Sequence, residues 1–88
     1  MGTDRELLEA AAKAEGHAYP WVLPARGGER PWNPLTDDGD ALRLMVKLGL
    51  FMVRIVKEIP SAEYDADPYA ATRRAAVRAA AEIGRSMK

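Results

Sequence analysis

Apolar residues recur at helical spacing in three stretches of the chain and alternate in one. Between residues 4 and 15, Leu7, Leu8, Ala11 and either Ala12 or Ala14 make a narrow apolar stripe. Thr3-Asp4-Arg5-Glu6 stands in front of it as a capping box. The Thr hydroxyl accepts from the Glu6 N–H, and the Glu carboxylate reaches back to the Thr3 N–H. Gly16 is placed to close the helix in the left-handed conformation, so the pattern predicts a helix over 4–15. The second stretch, Ala41, Leu44, Met45 and Leu48, follows i, i+3, i+4, i+7. It predicts a helix capped by Thr36 or Asp38 and ended by Gly49. Leu42 and Val46 widen its apolar arc, which predicts a helix buried on most sides. The third begins at Asp67-Pro68, an N-cap followed by a residue that needs no donor, and runs to about Met87. Its inward face is expected to hold Tyr69, Thr72, Ala76, Ala79, Ala80, Ile83 and Met87, with Arg74, Arg78 and Arg85 opposite.

The remaining segments read as extended or as turns. Residues 17–23 are rich in strand formers, but Pro20 confines them to an edge strand and Pro24 breaks it. Gly27-Gly28 offers a reversal, and Glu29 to Asn33 returns as a short second strand. Leu50 to Ile59 gives the clearest strand pattern, with Phe51, Val53, Ile55 and Ile59 on one side and Pro60 as its stop. Ser61 to Asp65 reads as an acidic connector. The expected fold class is therefore α+β, a small layered α/β sandwich of order α-β(-β)-α-β-α. Three helices pack on a short antiparallel sheet whose central strand is Leu50–Ile59, and residues 1–88 form a single domain. Expected core residues are Leu8, Leu44, Leu48, Val53, Ile55, Ala76, Ala80 and Ile83. A sheet this short has unpaired edges, which predicts a homodimer.

Composition narrows the chemistry. At 88 residues two independent domains are excluded, while 48% apolar and 30% charged residues suffice for a folded domain. The longest uncharged apolar stretch, Leu48 to Val53, is six residues, far short of the roughly twenty of a bilayer span. No membrane association or export signal is expected. The chain has no Cys and one His, His17, which excludes disulfides, Cys/His zinc sites, thiol chemistry and a Ser-His-Asp triad. His17 itself reads as a solvated residue at a helix end. No cofactor and no metal site is expected. Asp37, Asp38, Asp40, Asp65 and Asp67 are explained by two helix starts, and an EF-hand counted from Asp37 would need a Glu where Leu48 stands.

The formal net charge is zero, but it is unevenly spread: −3 over residues 1–38, −1 over 39–67 and +4 over 68–88. The basic segment carries Arg73, Arg74, Arg78, Arg85 and Lys88, suited to phosphates or to an acidic protein surface. Tyr19, Trp21, Trp32 and Tyr64 lie in or near the proline-rich half, where rings either seal the core of a small domain or form a binding patch.

Three stretches carry a family resemblance: Asp4-Arg5-Glu6-Leu7-Leu8-Glu9-Ala10-Ala11, then Trp32-Asn33-Pro34-Leu35-Thr36-Asp37-Asp38-Gly39-Asp40-Ala41-Leu42-Arg43-Leu44, then the run from Asp67-Pro68-Tyr69 to Ala79-Ala80. Together they cover about half the chain and resemble the phage ABA sandwich domain family, small bacteriophage and prophage proteins of unassigned role. The resemblance implies helices flanking a short antiparallel sheet and brings no catalytic residues. Between Leu50 and Asp67 the chain departs from that pattern, offering a single strand. The resulting expectation is a non-enzymatic phage or prophage protein acting in the host cytoplasm. It binds a host protein through Arg74, Arg78, Arg85, Trp21 and Trp32, inhibiting a bacterial antiviral system such as CRISPR. The alternatives are a nucleic-acid-associated regulator using the basic C-terminal helix and a metal-dependent hydrolase or nuclease using the aspartates.

Overall fold

A computed structural model of the chain describes residues 3–17, 21–50, 55 and 57–87. The fold is α+β. Among the described residues its elements are helix α1 (Asp4–Glu15), strands β1 (Val22–Ala25) and β2 (Gly28–Pro31), and helices α2 (Asp38–Leu48), α3 (Ser61–Ala66) and α4 (Pro68–Ser86). None of these helices is long and apolar enough to cross a membrane.

The helix ends follow local chemistry. Thr3 and Glu6 form the capping box of α1, and Gly16 closes it at φ 95°, its N–H and that of His17 both donating to the Ala12 carbonyl at 2.8 Å. Gly49 ends α2 at φ 67°. Asp67 caps α4 by accepting from the Ala70 N–H at 3.1 Å, with Pro68 in the first turn. The cap of α2 is neither Thr36 nor Asp38 but Asp37, which accepts from the Asp40 N–H at 2.8 Å. Thr36 is drawn into the preceding turn, its hydroxyl donating to the Asn33 carbonyl, and Asp38 pairs with Arg73. The expected connector from Ser61 is the short helix α3, with Pro60 at its N-cap.

β1 and β2 form an antiparallel hairpin in which Val22 faces Pro31, Leu23 faces Arg30 and Pro24 faces Glu29. Pro24 does not break β1. The Trp32 N–H donates to the Trp21 carbonyl at 2.8 Å. Alternation along an antiparallel ladder then puts Leu23–Arg30 in the same hydrogen-bonded class and leaves Pro24 and Pro31 at outward-facing positions, where no ladder donor is needed.

The expected central strand Leu50–Ile59 is not seen among the described residues. Ile55 is helical, Lys57 and Glu58 are in a turn closed by the Glu58 N–H on the Ile55 carbonyl at 3.0 Å, and Leu50 and Ile59 are irregular. Phe51 to Arg54, Val56 and the core assignment of Val53 lie outside the described residues. A short apolar run reads equally as strand or as buried helical turn, and at Ile55 the second state is the one adopted. The helices consequently pack chiefly on one another, with α1, α2 and α3 all against α4.

α1 and α4 run parallel: Asp4 pairs with Arg74, and the Lys13 ammonium donates to the Met87 carbonyl at 2.9 Å. The buried residues of these two helices include Ala11 and Ala12 on α1 and Val77, Ala81 and Gly84 on α4. A Cβ on Gly84 would sit within 2.7 Å of the Ala10 carbonyl carbon, so only glycine permits this approach. Leu8, Leu44, Ile55, Ala76 and Ala80 are core residues as expected, and Leu48 packs partly buried against them. Ile83 is not in the core. It is 38% exposed at an open cavity beside Leu50 and Ile55. Tyr69 and Met87, expected inward from their spacing, are also exposed, because α4 buries chiefly its small residues and turns these large ones outward.

Candidate functional site

Three clusters of chemistry-bearing side chains stand out. The first is built on the segment from Trp32 to Arg43. Asn33 starts an Asx-turn, its side-chain oxygen accepting from the Leu35 N–H at 3.0 Å, which aims the chain into α2. One turn into that helix, the Asp40 side chain is fully buried and accepts four hydrogen bonds. Arg30 donates through Nη2 to Oδ1 at 2.7 Å and through Nη1 to Oδ2 at 3.1 Å. Arg43 Nη2 reaches Oδ1 at 2.6 Å, and the Asn33 N–H reaches Oδ2 at 2.9 Å. Burial alone would raise the Asp40 pKa. The bonds from Arg30, Asn33 and Arg43 outweigh it and hold the carboxyl at about 2. A carboxylate that is ionised and saturated with donors is a latch between hairpin and helix, with no free lone pair for acid–base work.

The second cluster surrounds Trp32. Its ring is 3% exposed, tilted at 50° against His17 with centroids 4.8 Å apart, and edge-on to the half-buried Trp21 at 6.2 Å. His17 is not a solvated helix-end residue: it packs on Trp32 and pairs with the buried Glu15. Trp32 Nε1 and Glu15 Oε1 have no hydrogen-bond partner among the described residues. Of the two tryptophans expected to meet a partner, Trp32 is inside and Trp21 covers it. Tyr19 lies outside the described residues.

The basic helix forms the third. Arg73 donates to the Leu35 carbonyl at 2.9 Å and to Asp38 at 2.6 Å, Arg74 is bidentate on Asp4, and Arg78 stands 3.9 Å from Glu63. The Arg74 hydrogen bond and its charge lower the Asp4 pKa. Arg85 is exposed in the last turn. Most of the stripe is thus set against carboxylates from α1, α2 and α3. Nor do the five aspartates converge. Asp37 and Asp67 are caps, Asp38 and Asp40 serve arginines, Asp65 lies exposed on α3, and among the described residues no group of three or more His, Asp or Glu is placed to hold a metal ion.

The wide apolar arc that predicts a well-buried α2 is open to solvent on one side. Leu42 is 61% exposed and Val46 73%, one turn apart on α2. Leu42 lines a groove of about 440 Å³ floored by Ala41 and Met45 and walled by Tyr64, Tyr69 and Thr72, with the Asp38–Arg73 pair also in its lining, and Val46 lies one turn further along α2, outside that lining. The signal was present in the arc. At about 100° per residue, Leu44 through Val46 span about 200° of α2, twice what a helix lying on one neighbour can bury.

No family model, curated protein or solved structure matches the chain.

Proposed function

We propose that this chain is a protein-binding module that acts by occupying a partner's surface and performs no chemistry of its own. The observation that carries the reading is the exposed apolar set of Leu42, Tyr64 and Tyr69 lining the α2–α3–α4 groove, with exposed Val46 one turn from Leu42 on α2. Single exposed hydrophobes are ordinary, whereas a grouped set with aromatic walls is the composition of an interface centre. The phage resemblance supplies the setting: the partner is a host protein, and inhibition of an antiviral system such as CRISPR is the effect that suits a small binder without catalytic groups. A nucleic-acid-associated regulator is the weaker reading, because Arg73, Arg74 and Arg78 already face Asp38, Asp4 and Glu63.

The test is a pull-down from bacterial lysate with tagged protein, with and without nuclease. The expected result is a stoichiometric protein that survives nuclease, is lost in Leu42→Asp and Tyr69→Asp variants, and is retained in Arg85→Glu. Salt-sensitive recovery of nucleic acid alone would replace this reading with the regulator.

A further inference from the structure

We infer that, when no other partner is bound, a second copy of this chain covers the α2–α3–α4 face in a two-fold arrangement, the Leu42/Val46 ridge of each copy seated in the groove of the other. The inference rests on the reading of this face as a docking surface and names what closes it.

Two features of the face make it complementary to itself. The first is shape. A ridge and a groove lie side by side on one surface, since Leu42 forms the groove's near wall and Val46 follows it one turn along α2. A two-fold axis brings ridge to groove twice, which is the condition for a closed isologous contact.

The second is charge. On α3, Glu63 is turned toward Arg78 of α4 and Tyr64 toward the groove, which leaves Asp65 on the outer side. On α2, helical geometry carries the surface from Leu42 and Val46 round to the exposed Lys47, while Arg43 beside it is held by Asp40. Across the face the order is therefore acidic edge, tyrosines, groove, aliphatic ridge, basic edge. A two-fold axis in the interface, running along α2, lays the acidic edge of one copy on the basic edge of the other on both sides. The opposite axis, across α2, would set like charges together, so charge selects one of the two orientations.

The hairpin offers a poorer route to self-association. Pro24 and Pro31 occupy outward positions on its two edges and remove donors that an added strand would need.

Light scattering on the intact chain over a micromolar concentration series reads the outcome. A particle of twice 9.7 kDa is expected at high micromolar concentration. Leu42→Asp should weaken association at least about tenfold by placing a charge in the centre of the contact, with the thermal midpoint of the monomer unchanged as proof that it folds. Lys47→Glu and Asp65→Lys should each weaken it by about threefold, and an equimolar mixture of the two should form a heterodimer tighter than either variant with itself, since both edges then match again. A 9.7 kDa particle throughout overturns the inference, as does a dimer that Leu42→Asp leaves intact or a mixture no tighter than its components. A monomeric wild type whose lysate partner is still lost in Leu42→Asp sinks the second copy and leaves the docking surface. A dimer broken by Leu42→Asp with no lysate partner does the reverse.

Discussion

On α4 every buried residue except Val77 is alanine or glycine, and on α1 Ala11 and Ala12 are buried beside Leu7 and Leu8, while Leu42, Val46 and Tyr69 remain in solvent beside the contact of α4 with α2 and α3. The smallest side chains are inside and several of the largest are outside. Burial in so small a domain is allocated by how closely two backbones can approach. A methyl-lined seam lets the helices come together along their whole overlap, so each alanine touches many atoms at short range even though it hides little area. The α2 face has apolar area to hide but only one wall of helix to hide it against.

The sharpest way to break the seam is to add one side chain to its narrowest point. Gly84→Val should cost at least about 3 kcal/mol in chemical denaturation, because its Cβ meets the Ala10 backbone and cannot be relieved by a rotamer change. On α2 two leucines separate the two kinds of environment. Leu44→Ala should cost about 3 kcal/mol, since that side chain is fully buried.

The latch that holds α2 comes next. Asp40→Asn should cost about 2 kcal/mol near neutral pH and alter the acid response. A carboxyl held at about 2 against an ordinary 3.8 stabilises the fold fully above the higher value and loses that contribution as pH falls through the lower. Wild-type stability should therefore drop by about 2 kcal/mol between about pH 5 and pH 2 through this group, and the Asn variant should lack that component. The smallest effect belongs to the open face: Leu42→Ala should change stability by no more than about 0.5 kcal/mol. A drop as large as that of Leu44→Ala would mean that the face is packed within the monomer.

Features that depend on residues three or four apart were legible in the sequence. The Thr3–Glu6 box, Gly16, Gly49 and the Asp67-Pro68 start set helix ends without reference to the rest of the molecule. Features that depend on what a residue meets were not. Ala81 and Tyr69 lie on the same helix, and their fates were decided by α1, whose spacing from α4 no local pattern records. Asp40 resembled Asp37 and Asp38 as one more acid at a helix start until the hairpin brought Arg30 against it, ten positions back along the chain. The Leu42/Val46 face was visible as excess apolar width but was read as burial, because the number of neighbouring elements is itself a tertiary fact. α3 has neither an apolar period nor a side-chain cap, and its sequence alone announces a connector.

The parallel pairing of α1 with α4 also bears on how the chain is made. Asp4, Ala10 and Lys13 meet Arg74, Gly84 and Met87. A twelve-residue helix is marginal by itself in water, so while the intervening segments are still being added α1 has only its smaller contact with α2 and the His17–Trp32 packing to hold it. With about seventy residues between them and elongation at roughly 5–20 residues per second, the first helix waits on the order of 4–14 s for its companion. During that interval the latch between hairpin and α2, whose members span only Arg30 to Arg43, has everything it requires. Folding on the ribosome should therefore begin in the middle of the chain, with the seam closing only after synthesis has passed residue 84.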